Sequence, residues 1–218
     1  MRICTASRIN GSSSIVVRVA RIGDSWEMAK AHCSVFLSEY SFPIDIVMKV
    51  DNLLAIVWGF SVVPNGCRRT YFVAVNDRLI DTQDLKSHGV DQKFDLDKGY
   101  VVGSLTMDTL ADYLPLEGPL QQRRTGVAYL SDLLVREQFR RKGIAKELIV
   151  KAEAYSKSWG CRAIALHCDL NNIGAIELYR AHGFKSIKVP EGAKWPQPKT
   201  SNNIKSNFMM KLLYTQKS

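Results

Sequence analysis

Leu133-Leu134-Val135-Arg136-Glu137-Gln138-Phe139-Arg140-Arg141-Lys142-Gly143-Ile144-Ala145 is the stretch that says most about this 218-residue chain. It continues an apolar run from Val127 to Val135 that reads as a strand, and it ends in a basic turn containing Gly143. That turn opens a helix over 144–159, with Ile144, Leu148, Ile149, Ala152 and Tyr155 on one face and Gly160 as the stop. A strand–turn–helix of this kind aims several backbone N–H groups and the positive end of the helix dipole at one point. Such a point is an anion site and suits a pyrophosphate. Gly143 lets the backbone come close to the phosphates, and the small Ala145 keeps the helix start uncrowded. The same residues also fit an ordinary strand–turn–helix with a solvated basic corner.

Outward from this stretch the pattern is mixed. A β-branched run over 15–20 reads as a first strand, and 25–37 has apolar residues at helical spacing. Pro43 suits the first turn of a second helix running through Ile46, Val50, Leu53, Leu54 and Val57. Strands over 71–75 and 100–106 flank a polar loop, and Pro115, Gly118 and Pro119 make 111–125 a loop. After the central helix come a short strand over 163–166, a helix over 172–182 ended by Gly183, and strands over 184–189 and 207–213. The last two are joined by a loop rich in Pro and Lys. This order predicts an α+β, three-layer domain with helices against a mixed sheet.

Composition excludes several classes. Apolar residues at 46% and charged residues at 23% are ordinary globular values, not those of a disordered or collagen-like chain. The longest mostly apolar stretch, Leu53 to Val63, is about half a bilayer span, so a soluble protein is expected. Five scattered cysteines without a C-x-x-C pair support neither a disulfide framework nor a zinc site, and no metal is expected. The formal charge of +9 first suggests nucleic acid. Its distribution argues otherwise: residues 1–24 carry +3, residues 185–218 carry +6, and residues 25–184 are neutral. No specific nucleic-acid partner is expected. Residues 1–13 read as a flexible or targeting remnant, and residues 14–218 as one domain.

Two motifs in order point to a family. Arg140-x-x-Gly143-x-Ala145 resembles the Q/R-x-x-G-x-G/A signature of the GNAT superfamily of N-acetyltransferases. Asn172-x-x-Ala175-x-x-Leu178-Tyr179, followed by Gly183-Phe184, resembles that superfamily's second element. The resemblance is close over 126–213 and topological over 14–108. It implies a mixed, mostly antiparallel sheet of about seven strands flanked by about four helices and splayed at the acetyl-CoA site. The implied donor contacts are Leu133, Leu134 and Val135 by backbone, Arg140, Arg141, Lys142, Gly143, Ile144 and Ala145 at the phosphates, and Asn172 and Tyr179 along the arm. Asn172 fits a helix N-cap equally well.

Within the superfamily, NatE- and NatF-type N-terminal acetyltransferases and plant plastid members are the most similar branch. Tyr129 stands eleven residues before Arg140 and His167 five before Asn172, spacings like those of the branch's catalytic Tyr and His. Phe42-Pro43-Ile44 resembles its peptide pocket, although Ile46 stands where the branch has a tyrosine. Trp195, in the loop before the last strand, corresponds to the hairpin that closes over the peptide. The resemblance therefore implies acetyl transfer from acetyl-CoA to protein or peptide N-termini, and to lysines as a second acceptor. Tyr129 and His167 would act on the amine, the latter as a base near its ordinary pKa, and Tyr179 as acid to the leaving thiol. A small-amine acetyltransferase is the alternative. Cys168, beside His167, reads as a small buried residue rather than a nucleophile. The Arg-bearing, acid-poor N-terminus fits a plastid protein.

Overall fold

The computed structural model describes residues 7–8, 15–36, 43–63, 66–76, 100–109, 126–188 and 205–213. Eight strands and four α-helices lie among them: β1 (Ser7–Arg8), β2 (Ile15–Val19), α1 (Ser25–Phe36), α2 (Ile44–Ser61), β3 (Arg69–Asn76), β4 (Tyr100–Thr109), β5 (Val127–Val135), α3 (Ile144–Ser158), β6 (Ala163–Asp169), α4 (Ile173–Ala181), β7 (Lys185–Ser186) and β8 (Ser206–Leu212). The strands hydrogen-bond in the order β1-β2-β3-β4-β5-β6-β8-β7. Pairs β1–β2, β2–β3, β6–β8 and β7–β8 are antiparallel, and β5–β6 is parallel. The mixed sheet with four helices is the α+β architecture expected from the sequence.

The differences are local. Ser7–Arg8, inside the segment read as a targeting remnant, pairs with Val17 and Val16. Strand β6 runs on to Asp169 rather than stopping at Leu166, because β8 pairs it as far as Ser206. Within the strand expected over 184–189, Lys185 and Ser186 pair in register with β8, and Ile187 N–H adds one bond to the Phe208 carbonyl at 2.9 Å. Hydrogen bonding to a neighbour decides strand ends, and single-chain patterning does not report it.

The chain forms two compact units. The first comprises Met1–Val62, Thr70–Leu105 and Asp132–Lys151. Its core joins Met28 and Ala31 of α1, Tyr71, Val73 and Val75 of β3, Val101 of β4 and Leu134 of β5. Val35 of α1 and Ile56 and Phe60 of α2 pack against this cluster. The chain turns from β2 into α1 around buried Asp24, which accepts two bonds from the Arg18 guanidinium at 2.6 and 2.8 Å and one from Arg21 N–H at 2.6 Å. The second unit comprises Val63–Arg69, Thr106–Ser131 and Ala152–Ser218. There Val127 and Tyr129 of β5, Ala163 and Ala165 of β6, and Phe208 of β8 form an apolar cluster, with Met210 packed against it.

Strands β4 and β5 approach closely at Gly103, where a Cβ would lie 2.9 Å from the Leu134 carbonyl oxygen and 3.3 Å from Ile144 Cγ2. A backbone oxygen in a paired strand cannot swing away. Gly103→Ala is therefore expected to lower the unfolding free energy by about 1–3 kcal/mol in urea denaturation, the usual cost of overpacking. Gly174→Ala is the control, since its methyl group would meet only the Asn172 side-chain oxygen at 4.0 Å. An unchanged Gly103→Ala midpoint would show that the two strands can part.

Candidate active site

In the second unit the pairing of β5 with β6 sets Tyr129 opposite Ala165. Side chains alternate faces along a strand, so His167 lies two residues further along the face that carries Ala163 and Ala165. Alanines at those positions leave room for rings. The Tyr129 hydroxyl lies 2.8 Å from His167 Nδ1, and their ring centroids are 5.7 Å apart. Phe208, directly across the β6–β8 ladder from His167, covers the imidazole at 4.9 Å. Burial lowers the His167 pKa from its ordinary value to about 4. This corrects the expectation of a histidine near its ordinary pKa: at neutral pH the imidazole is uncharged and is a weak base.

Tyr179 sits on the buried side of α4, edge-on to Phe184 with centroids 5.8 Å apart. Burial raises its pKa, and the nearby Cys168 thiol and Tyr129 hydroxyl add to the effect. Tyr179 therefore keeps its proton and can donate it to a hydrogen bond. Cys168 is itself buried, with its thiol pKa raised by burial and by Asp169, which leaves no reactive thiolate at neutral pH. The side-chain oxygen of Asn172 accepts from Ala175 N–H at 3.0 Å, so it is used as the N-cap of α4.

In the first unit β5 carries a break that residue spacing alone does not display. The ladder with β6 covers Val127 to Leu130, and two residues later Asp132 adopts φ 51. A left-handed residue within a strand breaks the pleat as a bulge does. Asp is among the few residues that tolerate it, and Ser131-Asp132 is the one polar interruption of an otherwise apolar run, which was the available signal. Leu134 packs its side chain into the core, so it can offer a ligand only backbone.

After β5 a short 3-10 turn, Glu137–Phe139, leads to the basic turn. Arg141 and Gly143 both have positive φ, 63 and 80, which turns successive N–H groups inward as a nest. Helix α3 starts at once, and Glu147 N–H is bonded to the Gly143 carbonyl at 3.1 Å. The first N–H groups of a helix have no helical acceptor and point at whatever lies before it. A Cβ on Gly143 would meet nothing within 4 Å, so the face of the turn is open. Arg140, Arg141 and Lys142 are exposed around it, with Arg140 Nε 3.2 Å from the Val135 carbonyl and Lys142 Nζ 5.0 Å from the centre of the Phe139 ring. Ile144 is buried and Ala145 partly so. Arg136 turns inward instead of joining these three cations at the surface. It donates to the Val101 carbonyl at 2.9 Å and stacks on Tyr100 at 4.4 Å, and it stands 3.8 Å from Glu27.

Pro43 and Ile44 are exposed at the start of α2. Phe42 and Trp195 lie outside the described residues.

The sequence pattern of the acetyltransferase (GNAT) family matches residues 63–184, more than half of the chain. This chain belongs to that family. It is an N-acetyltransferase that uses acetyl-CoA. The chain is 58% identical over 221 residues to GCN5-related N-acetyltransferase 4, chloroplastic, of Arabidopsis thaliana, covering 96% of this chain and 76% of that protein. Among solved structures, a GNAT-family acetyltransferase from Staphylococcus aureus Mu50 shares the fold at a TM-score of 0.59 and 19% identity, covering 92% of this chain and 99% of that one. Arabidopsis thaliana NAA60, solved in complex with acetyl-CoA, has a TM-score of 0.55 at 19% identity, with 91% and 98% covered.

Two outcomes follow from this geometry. The unfolded chain has a histidine pKa near 6.5, so between pH 6.5 and about 4 it binds a proton that folded His167 does not. Stability should therefore fall as pH drops through that window, and fall less in His167→Gln. An NMR titration should place the His167 midpoint near 4, and a midpoint near 6.5 would show an accessible imidazole. At the turn, Gly143→Ala is expected to weaken CoA binding on the order of tenfold by calorimetry, reflecting ~1–2 kcal/mol of left-handed strain. Unchanged affinity would remove that turn from the donor site.

Proposed function

We propose that this chain acetylates the α-amino groups of protein N-termini, with lysine ε-amines as slower acceptors, and that it works in the plastid. The observation that carries this reading is the Tyr129–His167 pair with its uncharged imidazole. An acceptor must lose its proton to attack. An α-amine with a pKa of about 7.7–8.0 is roughly a tenth neutral at pH 7, whereas a lysine near 10.4 is only about 0.04% neutral. A base with a pKa near 4 is far from the best value for pulling protons from ammonium groups. Such a site favours an acceptor that arrives largely deprotonated, and that is an α-amine.

The open face of the Gly143 turn suits the diphosphate of acetyl-CoA, with the N–H groups from Arg141 to Ala145 as the donors and Arg140, Arg141 and Lys142 as the surrounding cations. Bound there, acetyl-CoA supplies an acetyl group activated as a thioester. The backbone N–H groups of Leu133 to Val135, beyond the break at Asp132, are the candidates for polarising a carbonyl oxygen. Tyr129 and His167 orient the acceptor amine, or a water bound to it, and accept hydrogen bonds from it. Tyr179 holds its proton at a pKa above that of a thiol, near 8.5, so complete transfer to a thiolate is uphill. Its role is accordingly a hydrogen bond that steadies the leaving sulfur. Phe42, Pro43, Ile44 and Trp195 are proposed to border the peptide. The relative named chloroplastic and the Arg-bearing, acid-poor N-terminus support the plastid assignment.

The test is acetylation of peptides carrying either a free α-amine or a lone lysine, with a polyamine as a third acceptor. At pH 7 the α-amine peptide should exceed the lysine peptide in kcat/KM by on the order of a hundredfold, tracking the neutral fractions. Its rate should rise towards the amine pKa with no inflection near 6.5. His167→Ala and Tyr129→Phe should each lower kcat by on the order of tenfold at unchanged CoA affinity, the loss of one orienting hydrogen bond. Tyr179→Phe should slow turnover moderately. Faster turnover of the polyamine would overturn the protein-acceptor reading.

A further inference from the structure

The Arg136 side chain is only 13% exposed, although it stands just ahead of the exposed cations of the basic turn. Its N–H donates to the Val102 carbonyl at 2.9 Å, and its carbonyl accepts from Phe139 N–H at 2.9 Å. Its Nε donates to the Val101 carbonyl at 2.9 Å, and the guanidinium lies 4.4 Å from the centre of the Tyr100 ring. Its Nη2 stands 3.8 Å from Glu27 Oε2 of α1; both atoms are shut off from solvent, and neither is hydrogen-bonded among the described residues. Lys30 holds the other Glu27 oxygen at 3.0 Å. One side chain thus ties α1 and β4 to the point where β5 ends. A desolvated ion pair adds little to stability, and well-packed apolar residues would serve as well. What a planar guanidinium adds is orientation.

The same residue governs the way into the basic turn. Phe139 closes the 3-10 turn on the Arg136 carbonyl, is buried, and contacts Tyr100 with ring centroids 6.3 Å apart. Lys142 in turn rests over the Phe139 ring at 5.0 Å. Glu27, Arg136, Tyr100 and Phe139 therefore form a connected path from α1 to the residue directly before the turn. We propose that Arg136, anchored by Glu27, is a positioning residue for the acetyl donor: it sets Phe139 and, through it, the aim of the N–H groups from Arg141 to Ala145. This inference rests on the reading of that turn as the diphosphate site. A nest binds an anion only where successive N–H groups converge, so a tilt of the segment before it is felt at the phosphates.

Donors with and without phosphates test this. S-acetylpantetheine carries the same thioester as acetyl-CoA but ends before the diphosphate. In the full chain, Arg136→Met should weaken CoA binding on the order of tenfold by calorimetry and lower kcat/KM for acetyl-CoA to match. With S-acetylpantetheine and the same peptide, kcat/KM should stay at the wild-type value. Arg136→Lys keeps the charge but loses the planar fork, and it should not restore CoA affinity. Glu27→Gln leaves the guanidinium without its carboxylate and should weaken CoA binding severalfold. Tighter CoA binding by Glu27→Gln would overturn the proposal in favour of a guanidinium freed to reach the phosphates directly. Equal losses on both donors, or unchanged CoA affinity in Arg136→Met, would also overturn it. Should Arg136→Met fail to fold, Glu27→Gln with the two donors makes the same comparison. Gly143→Ala separates this inference from the reading beneath it. Unchanged CoA affinity there removes the diphosphate site itself, whereas weakened affinity there with none in Arg136→Met removes only the role of Arg136.

Discussion

Strand β5 is where the structure is most constrained, because one nonapeptide has two jobs on either side of Asp132. Up to Leu130 it is a ladder partner of β6, and that pairing alone puts the Tyr129 hydroxyl at hydrogen-bond distance from His167. From Leu133 onward it is held by β4: Leu134 presses its carbonyl against Gly103, and Arg136 N–H bonds to the Val102 carbonyl at 2.9 Å. Arg136 then fixes the strand's exit by stacking on Tyr100 and bonding to the Val101 carbonyl. The left-handed backbone at Asp132 separates the two regimes. Without it the pleat would continue unbroken through the nonapeptide.

Burial sets the chemistry of the side chains. His167 and Tyr179 both move away from neutral pH, the imidazole downward and the phenol upward, so each is held in its uncharged form. Neither is then a strong base or a strong acid. What the site offers is oriented hydrogen bonding in a low-dielectric setting, where such bonds count for more than in water. The heavier demand falls on the acceptor, whose own pKa decides how much of it can react.

Much of this was legible in the sequence. The glycine-bearing basic turn, the helix it opens, the N-cap at Asn172 and the pairing of Tyr129 with His167 all followed from local spacing or from the family's motifs. The aromatic cover from Phe208 was not, because a residue opposite in a ladder is about forty positions away in the chain, and only register brings it close. The inward course of Arg136 has a similar reason: beside three other cations it looks like one more surface charge, yet its side chain turns to Val101, Tyr100 and Glu27. The apolar residues of α2 were read as helical without showing that four of them face outward.

The sequence by itself determined the elements, their order and the family, because strand alternation, helical spacing and a turn glycine act over a few residues and leave a local trace. The +9 charge belonged to the ends of the chain and said nothing of the site. Tertiary structure alone decided the protonation of His167 and Tyr179, the inward course of Arg136 and the exposure of α2. Each of these depends on what lies on the far side of a group, and desolvation is a property of the packed surroundings that no single residue or spacing carries.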